Sequence, residues 1–374
     1  MNARHALRPM GERPRVAFVL PDLGGGGAQR VMLTFARHLD PWDFDLHLIP
    51  VGRDEALAAM VPEDVPVHRL HALRLRTALP GLVRTIRALR PAAVVSTIGY
   101  VNLGLLAARS LLGTNTCIVV REANVLKASW NALPRLFPGR WAYRIFYPRA
   151  AAIIAPTQTI AAEIGQAAPG AAARIAMLPN PVDVDALRRS ASPATRPAGS
   201  GLALVGAGRL VRQKGFDRLI ALMPDLPADT TLTIYGEGPD RGALQAQIDA
   251  LGLSGRVTLP GFSDRLAAAI AGADIFVLPS RWEGLPNVVL EALALGTPVV
   301  ASTEAGVDDI ARGAPQGALT IAPVDRAFSD VIRCHVGTAA AAPRASLLPD
   351  EHGVDRVAKR FADLIRGCIA ASVR

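Results

Sequence analysis

The sequence predicts an α/β protein built from two Rossmann-like domains with parallel sheets, and three observations carry that expectation. Short apolar runs of strand length alternate with helical periods along most of the chain. Two glycine-rich turns, Gly24 to Gly27 and Gly206 to Gly215, each follow such a run. Near the middle of the 374 residues, positions 190 to 201 (Ser-Ala-Ser-Pro-Ala-Thr-Arg-Pro-Ala-Gly-Ser-Gly) lack apolar periodicity and read as a flexible linker. The length suits two domains, and 50% hydrophobic with 20% charged residues leaves material for two cores.

The first domain, residues 1 to 189, opens after an arginine-bearing tail, Met1 to Pro14, that has no apolar run and so reads neither as a secretory signal nor as an anchor. Strand Arg15 to Leu20 leads through Pro21-Asp-Leu-Gly24-Gly25-Gly26-Gly27 into a helix from Ala28 to Leu39 with apolar positions at Val31, Phe35 and Leu39. Four consecutive glycines exceed what a tight turn needs and favour close backbone approach to an anion, although helix–strand packing alone also uses glycine. Strand Leu46 to Val51, a weak strand at Val67 to Leu70 and a helix from Ala78 to Leu89 follow. The uncharged run Pro91 to Ala108 is long enough to raise a membrane span, but Ser96, Thr97, Gly99, Tyr100, Asn102 and Gly104 interrupt it. A buried strand Ala92 to Ser96, a loop and a helix Leu103 to Leu112 fit it better. Strand Ile118 to Val120 ends at Arg121-Glu122, placed at the edge of a cleft or in a surface ion pair. Strand Ala151 to Ala155, a helix Thr157 to Ala167 and a strand Ile175 to Leu178 complete the domain.

The second domain, residues 202 to 349, carries the chemistry. Leu202 to Val205 reads as a strand running into Gly206-Ala-Gly208-Arg209-Leu-Val-Arg-Gln-Lys214-Gly215. Only Lys127, Lys214 and Lys359 among 41 basic residues are lysine, so a chain that otherwise uses arginine keeps a lysine inside this loop. Arg209 offers a planar fork and Lys214 a compact charge, which together can stabilise a diphosphate without a metal. About 70 residues later, strand Ile275 to Pro279 leads into Ser280-Arg-Trp-Glu283-Gly-Leu-Pro-Asn-Val-Val-Leu-Glu291, with a helix from Pro286 to Leu295. The N–H groups and dipole of that helix start favour an anion, whereas Glu283 and Glu291 would repel one and so accept hydrogen bonds from hydroxyls. A nucleotide sugar offers both kinds of group. An amphipathic helix, Val354 to Ala371, closes the chain.

The pairing of Gly-Arg-Leu-x-x-x-Lys-Gly with Glu-Gly-x-x-x-x-x-x-Glu resembles the retaining glycosyltransferases of family 4. Gly24 to Arg30, Leu178-Pro-Asn-Pro-Val-Asp183, Ile234-Tyr-Gly-Glu-Gly-Pro-Asp and Leu251 to Phe262 are similar to that family too, so the resemblance covers nearly the whole chain. It implies a GT-B architecture, two Rossmann-like domains facing a central cleft, with the last helix returning to the first domain. It implies that Glu291 holds the donor ribose hydroxyls, Glu283 the transferred sugar, and Arg209 with Lys214 the diphosphate. Gly25, Gly26, Gly208, Gly284, Leu285, Pro286 and Asn287 would complete the donor site. Transfer would follow the same-face account in which the leaving phosphate takes the acceptor proton, with UDP the commoner carrier. Many members carry a histidine on the acceptor side near Arg121 and Glu122; this chain does not, and those two residues are acceptor-side candidates by place alone. Two alternatives share the fold, a sugar-nucleotide epimerase and a non-catalytic sugar-nucleotide-binding subunit, and the intact motif pairs argue against both.

No metal or other cofactor is expected. Asp43-Phe-Asp45 lies among turn residues and Asp183-Val-Asp185 at a helix cap, neither suited to a divalent ion. Cys117, Cys334 and Cys368 are odd in number and far apart, against a disulfide framework or zinc site. His68 and His71 fall in a loop and carry no assigned role. The net charge of +9 is unevenly held, +10 in residues 1 to 190 and −1 beyond. Lys127 to Arg149 holds five basic residues, no acid, and the aromatics Trp130, Phe137, Trp141, Tyr143, Phe146 and Tyr147. That mixture predicts docking on an anionic membrane surface, against the plainer reading of a solvated basic face over a core patch. Nucleic acid is not expected, because no recognition helix, zinc pattern or RNA-binding strand motif is present. The expected protein is thus cytoplasmic and peripheral on the inner membrane face, with a lipid-linked or membrane-proximal acceptor.

Overall fold

In the computed structural model, which describes residues 13–113, 115–126, 139–191, 201–335 and 343–372, the apolar runs form two six-stranded sheets in which every pairing is parallel. The first contains β1 (Arg15–Leu20), β2 (Asp45–Pro50), β3 (Ala93–Thr97), β4 (Cys117–Arg121), β5 (Ala152–Ala155) and β6 (Ile175–Met177), in the order β2-β1-β3-β4-β5-β6. The second contains β7 (Ala203–Ala207), β8 (Thr231–Tyr235), β9 (Val257–Gly261), β10 (Ile275–Leu278), β11 (Val299–Ser302) and β12 (Leu319–Ala322), in the order β12-β11-β10-β7-β8-β9. Helices cover both faces, so the central strands are buried throughout and read as continuous apolar runs rather than alternating ones. Strand order reverses between β1 and β3 in one sheet and between β7 and β10 in the other, the places where open α/β sheets leave room for a ligand.

The chain divides into two compact units, Met1–Leu178 with Val357–Arg374, and Pro179–Arg356. The boundary therefore falls at Pro179, earlier than the residue 189 that the sequence reading placed at the end of the first domain. The cause is the helix Val184–Ser190: its Val184 and Leu187 pack on the second unit's core, and Arg188 Nε donates to Ala294 O at 3.0 Å. Of the linker expected at 190 to 201, residues 192 to 200 lie outside the described residues. The last helix, Val354–Ser372, buries Val357, Phe361, Ala362 and Ile365 in the first unit, where Phe361 stacks on Phe35 with ring centroids 4.2 Å apart.

Three local expectations change. Val67 to Leu70 makes one bridge, Val67 to Leu48, and no strand. The second long helix starts at Leu75 rather than Ala78. The helix expected from Leu103 begins at Gly99, directly after β3, and ends at Ala107. Ile98 makes that abrupt start by adopting φ of +73°, an uncommon backbone for a β-branched residue that no apolar pattern could reveal.

Candidate active site

At the second unit's switch point, the loops leaving β7 and β10 meet. Gly208 and Arg209 follow β7, and the chain turns through a single 3-10 turn, Arg212–Lys214, before the helix Phe216–Leu222. Lys214 Nζ reaches Glu283 Oε1 at 2.6 Å, and Ser280 Oγ donates to the same oxygen at 2.7 Å. Gln213 Nε2 donates to Trp282 O at 2.9 Å and approaches Glu283 Oε2 at 3.4 Å. The Glu283 side chain is 8% exposed and that of Lys214 18%, so the carboxylate is fixed in a poorly solvated place and its charge is met by the lysine. The ammonium keeps N–H groups for a second acceptor. Gly215 sets the distance between the loops: its φ is +67°, and a Cβ there would stand 2.1 Å from Pro279 O. Gly208 lets the lysine stem lie flat, since a Cβ would come 3.1 Å from Lys214 Cδ.

Beyond Glu283, the buried turn Gly284, Leu285 and Pro286 enters the helix Asn287–Ala294, with Pro286 at the N-cap. Asn180 Nδ2 donates to Asn287 Oδ1 at 2.6 Å and ties the segment after β6 to this helix start. Glu291 sits in the second turn, partly exposed, and Arg209 is exposed on its own loop. The structure thus joins Lys214 and Glu283 directly and places Arg209, Gly208, Gly284, Leu285, Pro286, Asn287 and Glu291 on the same two loops and helix start. It adds Ser280, Gln213 and Asn180, to which the sequence assigned no role. Ser280 and Gln213 stand within or beside the motifs, yet only the folded geometry shows that they hydrogen-bond the glutamate.

In the first unit, Gly25 and Gly26 follow β1 at that sheet's own switch point, with Gly26 capping the helix Gly27–His38. Neither has a positive φ. Asp22 organises the turn, accepting from Gly24 N at 2.8 Å and from Gln29 Nε2 at 2.9 Å. A Cβ on Gly25 would meet nothing within 4 Å, so this glycine answers no packing demand inside the unit.

Arg121 and Glu122 are not where the sequence reading put them. They are 2% and 0% exposed, which excludes both a surface ion pair and direct contact with an acceptor. The ring of Tyr143, from the helix Gly139–Phe146, and that of Tyr147 just after it cover this end of β4. Tyr147 donates to Glu122 Oε1, Asn102 Nδ2 donates to the same oxygen at 3.1 Å, and Ser96 Oγ donates to Asn102 Oδ1 at 2.7 Å. Burial pushes the Glu122 carboxyl up to about 8, only partly offset by Asn102, Tyr143 and the Arg121 charge. Burial likewise lowers Arg121 to about 10 against the pull of Glu122. The network's place is structural: it anchors the helix that starts at the strained Ile98 turn.

Three of the four aspartates considered for a metal have other partners. Asp43 pairs with Arg366, Asp45 with Arg15 at 2.9 Å, and Asp183 caps the helix Val184–Ser190 by accepting from Ala186 N at 2.8 Å.

Comparison with known proteins agrees with this geometry. Residues 25–186 match the model of Glycosyltransferase Family 4, and residues 194–334 that of Glycosyl transferases group 1. The chain belongs to these glycosyltransferases. It is 38% identical over 114 residues to the lipopolysaccharide core biosynthesis glycosyltransferase LpsE of Rhizobium meliloti (strain 1021), covering 30% of this chain and 33% of that protein. It is 32% identical over 185 residues to the 2-deoxystreptamine glucosyltransferase of Streptomyces kanamyceticus, covering 46% of each. The matches thus span less than half the length of these curated relatives. Among solved structures, Anabaena Alr3699/HepE in complex with UDP and glucose superposes with a TM-score of 0.72 at 18% identity, over 96% of this chain and 99% of that one. The shared fold is of the GT-B type.

Proposed function

We propose that this glycosyltransferase moves a sugar, with retention, from a nucleoside diphosphate donor to a lipid-linked or membrane-proximal glycan acceptor, using UDP as the carrier. The observation that carries the reading is the Lys214–Glu283 pair at the switch point, set beside a helix start, with an ammonium that keeps N–H groups for a second acceptor. Lys214 and Arg209 meet the diphosphate as its charge grows on bond breaking, the term expected to dominate the rate. Glu283 accepts from a hydroxyl of the transferred sugar and Glu291 from the ribose. The bond from the anomeric carbon to the diphosphate breaks, the acceptor oxygen bonds to that carbon on the same face, and its proton passes to the leaving phosphate oxygen. No protein nucleophile is required. Resemblance to a lipopolysaccharide core enzyme supports a glycan acceptor, and likeness to a fold that holds UDP supports the carrier.

The diphosphate is neutralised by Arg209, Lys214 and the helix start at Asn287 without a metal, so activity survives EDTA; a loss restored by magnesium or manganese would refute this. The chain also docks peripherally on anionic membrane through the outer face of the helix Gly139–Phe146, where Trp141 and Ile145 are exposed and Arg140 and Arg144 flank them. Tyr143 and Tyr147, counted with that surface from sequence, are core residues instead. Lys127, Trp130, Arg135 and Phe137 lie outside the described residues. No helix among those described is long and apolar enough to cross a membrane.

A panel of nucleotide sugars, followed for free nucleoside diphosphate with and without lipid-linked glycan, tests the function. A transferase releases it in proportion to acceptor. An isomerised sugar nucleotide would identify an epimerase, and binding without turnover a binding subunit.

A further inference from the structure

We propose that Arg281 is a positioning residue for the transfer reaction, holding the loop that carries Lys214 in register with the loop that carries Glu283; the proposal rests on the donor reading of that pair. The two loops are laced together at each successive residue of the turn Arg212–Lys214. At the first, Arg281 Nη1 donates to Arg212 O at 2.8 Å. At the second, Arg281 N donates to Gln213 O at 2.7 Å, and Gln213 Nε2 returns a bond to Trp282 O at 2.9 Å. The Lys214–Glu283 pair is the third. Arg281 thus supplies the tethers to both residues that lead into the lysine. A lysine ammonium on its flexible four-carbon stem has no fixed direction of its own, so the backbone that carries it sets where the charge can reach.

The guanidinium is itself oriented. Asp217, in the first turn of the helix Phe216–Leu222, accepts from Arg281 Nη1 through Oδ1 at 2.7 Å and from Nη2 through Oδ2 at 2.6 Å. A two-pronged pair fixes the plane of the fork as well as its place. The same hydrogen bonds hold the Asp217 carboxyl below its ordinary value and raise the Arg281 guanidinium above its own. Cohesion is a poor account of this arrangement, because the side chains of Arg281 and Asp217 are 23% and 47% exposed and ion pairs in such wet surroundings add little stability. Arg281 also lines a cavity of about 330 Å³ with Phe216, Leu244 and Gln247, so truncating it extends existing space rather than emptying a packed core. What its loss removes is the aim of Lys214.

Isothermal titration of the full chain with UDP and with GDP, beside thermal melts, tests the proposal. Arg281→Ala should weaken binding of the nucleotide that the unaltered chain takes by about tenfold, with a melting temperature within about 3 °C of the parent. In a Lys214→Ala background the same substitution should cost no further affinity, since there is no ammonium left to aim. Asp217→Asn, which leaves the bond to Arg212 O in place, should give a smaller loss in the same direction. Unchanged binding in Arg281→Ala with Lys214→Ala impaired, equal losses in both backgrounds, or a melting temperature that falls in step with affinity would overturn the role of Arg281 and leave the donor site standing. Failure of the unaltered chain to bind either nucleotide would overturn the donor reading itself, and the positioning role with it.

Discussion

Lys214 Nζ lies 2.6 Å from Glu283 Oε1, across 69 residues of sequence, because β7 and β10 are hydrogen-bonded neighbours and release their loops on the same side of the sheet. The pair is poised rather than simply cohesive. One carboxylate is held by three donors, while the cation retains N–H groups for a ligand.

Removing either partner should therefore damage turnover more than folding. Lys214→Ala and Glu283→Gln each delete a charge-assisted contact of about 1.5–3 kcal/mol, which predicts a ten- to hundredfold fall in kcat/KM at subsaturating donor. Glu291→Gln should fall in the same range. A double-mutant cycle on Lys214 and Glu283 should give losses well short of additive, since the two act as a unit. Wild-type rates in the single variants would remove these residues from the site.

Glycine positions separate packing from ligand demands. Gly215→Ala forces an alanine to φ of +67° with its Cβ 2.1 Å from Pro279 O, and should cost more than about 2 kcal/mol of stability. Gly25→Ala meets nothing within 4 Å and has no positive φ, so its melting temperature should stay within about 2 °C of the parent. A fall in activity at that unchanged temperature, read by calorimetry beside a rate assay, assigns Gly25 to ligand contact; an unchanged rate denies it that part.

The buried carboxyl of Glu122 predicts a pH dependence of known sign. Its ordinary value is 4.5 and burial raises it to about 8, so between these values the folded chain binds more protons than the unfolded one. Stability from this group is complete below about 4.5 and is lost as pH rises toward 8. Glu122→Gln mimics the protonated form and should flatten that decline. Thermal melts from pH 5 to 9 should then show the variant more stable than the parent at the alkaline end by roughly 3 °C or more. Parallel curves would mean that Glu122 is ionised in the fold.

Docking on anionic lipid makes a separable prediction. Arg140 and Arg144 are exposed on the helix Gly139–Phe146, each contributing about 1 kcal/mol toward an anionic surface. Replacing both with Gln should lower partitioning to anionic liposomes by roughly thirtyfold at low salt and less near physiological salt. Trp141→Ala should weaken binding at any salt, because the ring is 58% exposed and its loss leaves the core intact. Equal sedimentation with neutral and anionic vesicles would mark this as an ordinary solvated face.

The sequence by itself determined what local patterns can carry. Strand-length apolar runs set the two parallel sheets, because strands buried on both faces must be apolar at every position. Glycine turns, the isolated Lys214 and the spacing of Glu283 and Glu291 marked the donor loops, and the cap at Asp183 followed from its place before a helix. Tertiary structure alone decided which distant groups meet and which are covered. Sheet order brought Lys214 to Glu283 and recruited Ser280, Gln213 and Asn180. Packing by Tyr143 and Tyr147 buried Glu122, where its sequence neighbours suggested a cleft edge, and took those two rings out of the surface face. Ile98 started a helix earlier than its apolar pattern allowed, and Val184 and Leu187 moved the boundary to Pro179 by packing on the second core. Each of these outcomes depends on contacts between residues far apart in the chain, and such contacts leave no period in the sequence to read.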